Sequence, residues 1–241
     1  MPIFDTHAHY DADRFDSDRD ALLSAMPGVG VGLVLDPGCD LPSSHAAAEL
    51  AERYPHVYAA VGVHPEDCDG FQDEDLTELR RLLERSKVVA IGEIGLDYAV
   101  TGDSVLRTAQ RHWFEQQMEL AADRSLPVII HCVRAYNDLI PILRHYPHVT
   151  PVIHGFTGSP ELAERLLQAG GYLSFGQRTA ASPKTRQALA AVPVDRVFFE
   201  TDESPLPIAA TYATAAAITG KTVAEWKETV YDNYRRLFKT H

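Results

Sequence analysis

The sequence predicts an α/β protein that folds as a (β/α)8 TIM barrel, in which some distortion is allowed. Short apolar runs alternate with longer amphipathic segments, and eight such pairs follow one another at intervals of about 20–40 residues. The runs are apolar almost throughout, as expected where both faces of a parallel strand are buried. The 241 residues suit one such domain, 1–241, with no linker-like stretch. A seven-stranded distorted barrel and a doubly wound sheet are the structural alternatives.

The predicted elements follow in order along the chain. Strands are expected at residues 3–6, 32–35, 57–63, 88–92, 127–130, 152–153, 171–175 and 197–199. Helices are expected at residues 19–26, 43–54, 75–85, 104–124, 136–145, 160–169, 183–191 and 209–218, and again from residue 222. Ser104 is the expected cap of the long fourth helix, and Ser159 and Ser182 each precede a proline at the first helical position. Thr222 and Glu225 form a capping box for the last helix.

Composition narrows the classes of function. The net charge of −12 argues against a broad basic face that holds nucleic acid by neutralising phosphates. A phosphate substrate stays open, because bound divalent cations can supply local positive charge. The chain has no cationic and apolar leader and no run of about 18 apolar residues, so we expect a cytoplasmic protein with no membrane association. Cys39, Cys68 and Cys132 lack paired spacing and are expected to be free thiols. No exposed apolar stripe is evident, so we expect a monomer.

Two histidines near the N-terminus form the first candidate site. In Asp5-Thr6-His7-Ala8-His9 the imidazoles are two residues apart on an extended segment, so they point the same way. Both can then reach one metal ion. Asp5 is either a further ligand or a group that orients a histidine. A pair of surface histidines at a frayed terminus is the alternative.

Polar residues at the ends of later strands extend this site. They are His64, Glu93, His131, His154 and Asp202, which follow the third, fourth, fifth, sixth and eighth predicted strands. The carboxyl ends of barrel strands meet at one mouth, where active sites lie. Imidazole and carboxylate groups suit zinc, manganese or nickel, and four of these histidines with the two acids suit two ions about 3.5–4 Å apart, bridged by a carboxylate and a water. Each of these residues taken alone could also be a helix cap or a turn residue. Their recurrence at the strand ends favours a metal centre.

Six stretches carry a resemblance to a known family. They read FDTHAH at residues 4–9, GVHP at 62–65, GEIGLDY at 92–98, LPVIIH at 126–131, HGFTGS at 154–159 and ETD at 200–202, and Asn233 with Arg236-Leu237-Phe238 adds a match in the last helix. In this order they resemble the TatD family of metal-dependent hydrolases, mostly described as deoxyribonucleases, over nearly the whole chain. The resemblance implies an amidohydrolase-like barrel that hydrolyses phosphodiester bonds.

The resemblance also implies roles for the matched residues. One metal would be held by His7, His9 and Asp202, the second by His131 and His154, and Glu93 would bridge two divalent ions of Mg, Mn, Zn or Ni. Asp202 would also orient or deprotonate the attacking water. His64 would touch the scissile phosphate rather than bind metal. Thr157, in the loop that leads into a helix N-terminus, and Arg134 would be further phosphate contacts.

Three departures from the family pattern bear on the substrate. Val133 stands where the family usually has an arginine, and Arg134 follows it. Glu203 replaces the usual serine or alanine and adds negative charge at the mouth. The segment after Asp202 is short, since Pro205-Leu206-Pro207 runs almost directly into a helix, and this loop is expected to border the substrate groove.

The expected function is two-metal hydrolysis of phosphodiester bonds that trims DNA from the 3′ end, with single-stranded DNA or 3′ ends as substrate. Tyr98, Tyr136 or Phe156 could stack on bases, although packing roles are favoured for all three. One alternative is a hydrolase of an amide, ester or lactone on the same scaffold. Related barrels of that kind often bridge their metals with a carboxylated lysine, whereas Glu93 ends the fourth predicted strand here. The other alternative is a metal-binding barrel without catalysis, which a missing ligand would support.

Overall fold

A sheet of eight parallel strands forms the centre of the protein, which we describe from a computed structural model. The structure describes residues 1–100 and 102–238, so residues 101 and 239–241 of the predicted domain lie outside it. The strands are β1 (Ile3–Asp5), β2 (Val31–Pro37), β3 (Val57–Val61), β4 (Val88–Asp97), β5 (Val128–Val133), β6 (Pro151–Ile153), β7 (Tyr172–Phe175) and β8 (Val197–Phe199). Neighbouring strands pair in chain order from β1 to β8, and each pair is parallel.

The two ends of the sheet meet through the segments that follow β1 and β8. The Thr6 amide donates to the Phe199 carbonyl at 3.0 Å, and the Asp202 amide donates to the His7 carbonyl at 2.7 Å. Ala8 and Asp202 add a parallel bridge. The sheet is therefore a nearly closed (β/α)8 barrel, as predicted. A doubly wound sheet would reverse its strand order, and a seven-stranded barrel would lack a strand, so neither alternative describes this chain.

Helices connect the strands around the barrel. They are α1 (Arg19–Ala25), α2 (Leu41–Arg53), α3 (Asp73–Leu82), α4 (Ser104–Arg124), α5 (Tyr136–His145), α6 (Pro160–Gln168), α7 (Arg178–Ala181), α8 (Pro183–Ala191), α9 (Ile208–Thr219) and α10 (Val223–Leu237). The caps predicted at Ser159, Ser182 and Thr222 are confirmed, because each side chain accepts a hydrogen bond from a backbone amide of its helix. The cap predicted at Ser104 is wrong. Asp103 caps α4 instead, because its carboxylate accepts a backbone amide of the first turn.

Three strands, β2, β4 and β5, run further than predicted, and in β4 and β5 this changes where the predicted site residues lie. β4 continues past Glu93 to Asp97, and β5 continues past His131 to Val133. Glu93 is only 3% exposed and lies inside its strand rather than at its end. The sequence pattern ended both strands too early because a buried polar residue looks like the end of an apolar run.

Gly95 allows β4 and β5 to approach closely beside His131 of β5. Gly95 pairs with His131 and adopts a φ of 147°. A Cβ atom at this position would lie 1.9 Å from the His131 carbonyl oxygen. Only glycine therefore fits here without moving the backbone that carries His131.

The packing around β1 fixes the strand that leads to His7 and His9. Phe4 of β1 packs edge-to-face against Phe198 of β8 and against Phe238, with ring centroids 5.8 Å and 5.9 Å apart. The Tyr212 hydroxyl of α9 donates to the Phe4 carbonyl at 2.9 Å. These contacts tie the first strand to the last one and to the C-terminal helices.

The three cysteines are free thiols, as expected, and two of them are buried. Among the described residues, no helix is both long and apolar enough to cross a bilayer.

Candidate metal centre

Glu93 lies at the centre of the polar residues in the barrel mouth, and each of its carboxylate oxygens faces a different pair of the predicted histidine ligands, with His64 as a further neighbour of Oε1. Oε2 lies 3.1 Å from His7 Nε2 and 3.4 Å from His9 Nε2. Oε1 lies 2.8 Å from His154 Nε2 and 3.0 Å from His131 Nδ1. The structure thus brings together the four histidines predicted as ligands, two on each side of one carboxylate.

Asp202 lies on the side of the cluster that His7 and His9 form. Its Oδ1 is 3.8 Å from His9 Nε2 and 4.0 Å from His7 Nε2. The residue adopts a φ of 54°, a left-handed conformation that is uncommon outside glycine and recurs at functional sites. Its side chain is 35% exposed, more than that of any of the five other predicted ligands. Asp202 therefore faces both the histidines and the open mouth of the barrel.

Two buried carboxylates lie behind the histidines of the second pair, and only Asp97 is within hydrogen-bond distance of its histidine. Asp97 Oδ2 lies 3.0 Å from His131 Nε2, and Asp97 also accepts a hydrogen bond from the Ala99 amide at 2.7 Å. Glu200 Oε1 lies 3.7 Å from His154 Nδ1 and accepts the Gly155 amide at 2.5 Å. Such carboxylate–histidine pairs fix the orientation of a metal-binding imidazole. Neither acid was predicted from the sequence as part of the site, although both lie in the matched stretches 92–98 and 200–202.

Asp5 takes neither of the roles expected for it. Its carboxylate accepts hydrogen bonds from the Thr201 amide at 3.0 Å and the Thr201 hydroxyl at 2.7 Å. It therefore joins the segment before His7 to the segment before Asp202 and binds no histidine side chain directly. Burial raises the pKa of Asp5 to about 7, although the bonds from Thr201 act in the opposite direction.

The charges of Glu93 and His154 stabilise each other. Burial opposes the ionisation of Glu93, but His154 and His7 outweigh it and hold the pKa of Glu93 well below its ordinary value. Burial also opposes a charge on His154, but Glu93 and Glu200 raise the pKa of His154 well above its ordinary value. Burial lowers the pKa of His7, and repulsion from His154 lowers it further. Glu93 is therefore an anion that its surroundings keep charged.

The donor atoms fit divalent metal ions. His7 Nε2 lies 3.0 Å from His9 Nε2, and His131 Nδ1 lies 3.2 Å from His154 Nε2. Two imidazole lone pairs that converge at this distance repel each other unless a proton or a cation lies between them. Nitrogen and carboxylate oxygen are also the donors that zinc, manganese and nickel share. The residues present therefore suit a metal on either side of Glu93.

His64 differs from the other histidines in its hydrogen bonds. Its Nδ1 accepts the Glu66 amide at 3.2 Å, so the proton of the neutral ring is on Nε2. That Nε2 points into the cluster, 3.4 Å from Glu93 Oε1. A protonated nitrogen cannot bind a metal but can donate a hydrogen bond.

The two other predicted phosphate contacts lie at the rim of the mouth. Thr157 is exposed and lines a polar cavity of about 280 Å³ together with Gln177, Arg178 and Asp202. Arg134 is exposed, directly follows β5 and has a φ of 54°. The structure thus brings Thr157 next to Asp202 and leaves Arg134 on the side of the mouth where His131 lies.

Three residues singled out in the sequence contact neighbouring side chains, through an ion pair, a ring contact and a hydrogen bond. Glu203 pairs with Arg14 at 3.4 Å between Oε1 and Nη1, which offsets part of the negative charge expected at the mouth. Phe156 is fully buried against Phe175, so it packs in the core and cannot stack on a base. The Tyr98 hydroxyl donates to Asp138 at 2.7 Å.

The comparisons with known proteins bear on the identity of this centre. The family described as TatD-related DNase matches residues 4–239 of the chain. The chain belongs to this family. The match runs across the whole barrel and includes every residue of the cluster around Glu93, so the protein is a metal-dependent hydrolase of the TatD type.

Individual relatives agree with this assignment. The uncharacterized metal-dependent hydrolase YabD of Bacillus subtilis is 37% identical over 206 residues, which cover 83% of this chain and 79% of that protein. The 3'-5' ssDNA/RNA exonuclease TatD of Cronobacter sakazakii is 33% identical, and the aligned region covers 83% of this chain and 77% of that protein. The crystal structure of YjjV, a TatD homologue from Escherichia coli, superposes with a TM-score of 0.90 at 32% identity, covering 99% of this chain and 98% of that one.

Proposed function

We propose that this TatD-type hydrolase cleaves phosphodiester bonds with two divalent metal ions and removes nucleotides from the 3′ end of single-stranded DNA. The observation that carries the proposal is the position of Glu93, whose two oxygens each face a separate histidine pair. A bridging carboxylate between two ions is the usual arrangement of two-metal phosphodiesterases. The relative from Cronobacter sakazakii, named as a single-strand exonuclease, supports the choice of substrate.

Six residues would hold the ions in this proposal. His7, His9 and Asp202 would bind one ion, His131 and His154 would bind the second, and Glu93 would bridge them. When bound, two divalent ions supply positive charge for the phosphodiester and a nucleophile at neutral pH. The identity of the metal, among magnesium, manganese, zinc and nickel, is left to measurement.

Asp202 is the proposed general base. Its carboxylate is the most exposed of the six and lies at the mouth, where an attacking water would arrive. The Asp202 backbone is fixed from both sides, because its amide binds the His7 carbonyl and the preceding Thr201 is held by Asp5. The carboxylate can therefore orient a water and accept its proton without moving far.

His64, Thr157 and Arg134 are the proposed contacts to the phosphate. The Nε2 proton of His64 points into the cluster and can be donated to a phosphate oxygen. Thr157 precedes the N-terminus of α6, where the positive end of the helix dipole favours an anion. Arg134 would add a positive charge from the rim.

The proposal is tested by digestion of single-stranded DNA labelled at the 3′ or the 5′ end, with magnesium or manganese. The wild type is expected to release 3′-terminal nucleotides first and to leave a shortening ladder from the 5′ label. Asp202→Asn is expected to abolish the ladder, while Asp232→Asn, an exposed aspartate of α10, is expected to retain it. If the metal-loaded wild type leaves both labelled strands intact, the nuclease proposal is wrong. Esters, amides and lactones would then be the substrates to examine.

A further inference from the structure

A second cavity opens on the metal cluster, and the mechanism above makes no use of it. It has a volume of about 610 Å³ and lies between the segment after β1 and the segment after β8. His9 and Asp202, both proposed ligands, form part of its wall. The remaining wall is mostly apolar and includes Tyr10, Phe15, Leu22, Met26, Val31, Leu206 and Ile208.

The cavity differs in chemistry from the polar cavity on the other side of Asp202. The polar cavity is lined by Thr157, Gln177 and Arg178, which suit an anion and its sugar. The basic side chain that lines the apolar cavity is Arg14. Its guanidinium pairs with Glu203 at 3.4 Å and lies 4.8 Å from the centre of the Phe15 ring. The charge of Arg14 is thus already offset, so this cavity does not favour a phosphate.

The aromatic groups in this cavity suit a flat, neutral ring. The rings of Tyr10 and Phe15 lie 5.1 Å apart at an interplanar angle of 44°. Leu206 is 46% exposed and Leu22 is 38% exposed, so apolar surface faces the opening. Apolar side chains that remain exposed beside a reaction centre commonly bind part of the substrate.

We propose that this apolar cavity binds one unpaired base of the substrate, the base of the nucleotide that is being removed. This inference rests on the proposed function. It puts the phosphate and the base of one nucleotide on opposite sides of Asp202. The phosphodiester lies at the metal cluster and the polar cavity, and the base lies against Tyr10, Phe15 and Leu206. Stacking of a base on aromatic side chains tolerates any sequence, because every base has an apolar face.

The proposal is tested with two single-stranded oligonucleotides that differ only in whether the 3′-terminal nucleotide carries a base or is abasic. The wild type is expected to cleave the strand with the base at least about fivefold faster, the lower limit for one stacked base. Leu206→Asp puts a charge into the cavity at an exposed position and is expected to bring this ratio close to one. Val105→Asp, at a 71% exposed residue of α4, is expected to retain the wild-type ratio.

A binding measurement without turnover gives a second readout. An oligonucleotide with 2-aminopurine at the 3′ end and a non-hydrolysable last linkage is mixed with the magnesium-loaded protein, and quenching of the 2-aminopurine fluorescence is expected with the wild type and lost with Leu206→Asp. Equal cleavage of the two strands with no quenching overturns the base subsite and leaves the nuclease function standing. Failure to cleave either strand overturns both proposals. Cleavage of esters with an apolar acyl group, lost in Leu206→Asp, would show that the cavity binds an acyl chain instead.

Discussion

Asp97 Oδ2 lies 3.0 Å from His131 Nε2, on the side of the imidazole that faces away from Glu93. This contact fixes which nitrogen of His131 carries a proton, because an acceptor behind Nε2 leaves Nδ1 free to bind a metal. Burial opposes the charge on Asp97, but the hydrogen bonds with His131 and with the Ala99 and Val100 amides together outweigh it and lower the pKa of Asp97 below its ordinary value. The ring is thus held by an ionised carboxylate in the orientation that the metal centre needs.

Replacing this carboxylate is expected to weaken metal binding without removing a ligand. Asp97→Asn should lower the affinity for the ion at His131 by about 10- to 100-fold, the usual effect of losing a carboxylate behind a metal-binding histidine. The measurement is a titration of the metal-free protein with Mn²⁺ or Zn²⁺. Asp138→Asn, which removes a carboxylate bonded to Tyr98, is the matched control and should bind metal like the wild type. Unchanged affinity in Asp97→Asn would contradict the positioning role.

The variant His64→Gln tests whether His64 contacts the phosphate or binds a metal ion. The variant should retain the wild-type number of bound ions, because the protonated Nε2 of His64 is not a ligand. Its kcat should fall by about 10²-fold, the typical effect of removing one hydrogen bond to a phosphate or oxyanion. Metal content and steady-state kinetics are measured on the same sample. Loss of one ion per chain would instead make His64 a ligand.

Gly95→Ala is expected to destabilise the barrel strongly. The added Cβ would lie 1.9 Å from the His131 carbonyl oxygen, and the backbone φ of 147° is strained for alanine. The free energy of unfolding should fall by about 3 kcal/mol or more, as measured by urea denaturation. Gly102→Ala is the control, because a Cβ there has no described atom within 4 Å. Two variants of equal stability would show that β4 and β5 do not approach as closely as described.

Asp36 of β2 is expected to make the stability of the metal-free protein depend on pH. Burial, followed by repulsion from Asp11, raises the pKa of Asp36 well above its ordinary value. Neither oxygen of Asp36 has a hydrogen-bond partner among the described residues. A carboxyl with a raised pKa in the folded state stabilises it below the unfolded pKa of about 4, and this stabilisation is lost as the pH rises.

Asp36→Asn removes this titration and is expected to be more stable than the wild type at pH 7–8, by about 1–3 kcal/mol. The two proteins should become similar near pH 4. Thermal unfolding in the presence of a chelator measures the difference, with Asp232→Asn as an exposed control. A lower melting temperature for Asp36→Asn at pH 7–8 would mean that the ionised carboxylate has a stabilising partner.

Much of the fold and of the cluster could be predicted from the sequence, because polar residues recur just after the predicted apolar strands. His7 and His9 lie two and four residues past the end of β1, and His154 follows β6 directly, so all three lie just after strands, as expected. The ends of β4 and β5 could not be predicted, because Glu93 and His131 are polar residues that the barrel buries inside strands. A hydrophobic pattern cannot distinguish this situation from the end of a strand.

The acids behind the histidines could not be assigned from the sequence for a different reason. Asp97 lies 34 positions before His131, and Glu200 lies 46 positions after His154. The pairing of β4 with β5 brings Asp97 to His131, and the order β6–β7–β8 brings Glu200 near His154. The same holds for Asp5, since its partner Thr201 lies at the other end of the chain and becomes its neighbour when β1 meets β8.

Anomalous diffraction from crystals grown with Mn²⁺ shows directly whether Glu93 lies between two metal ions. We predict two anomalous peaks about 3.5–4 Å apart. One peak should lie beside Glu93 Oε2 with His7, His9 and Asp202, and the other beside Glu93 Oε1 with His131 and His154. A single peak, or two peaks that do not share Glu93, would contradict the two-metal centre.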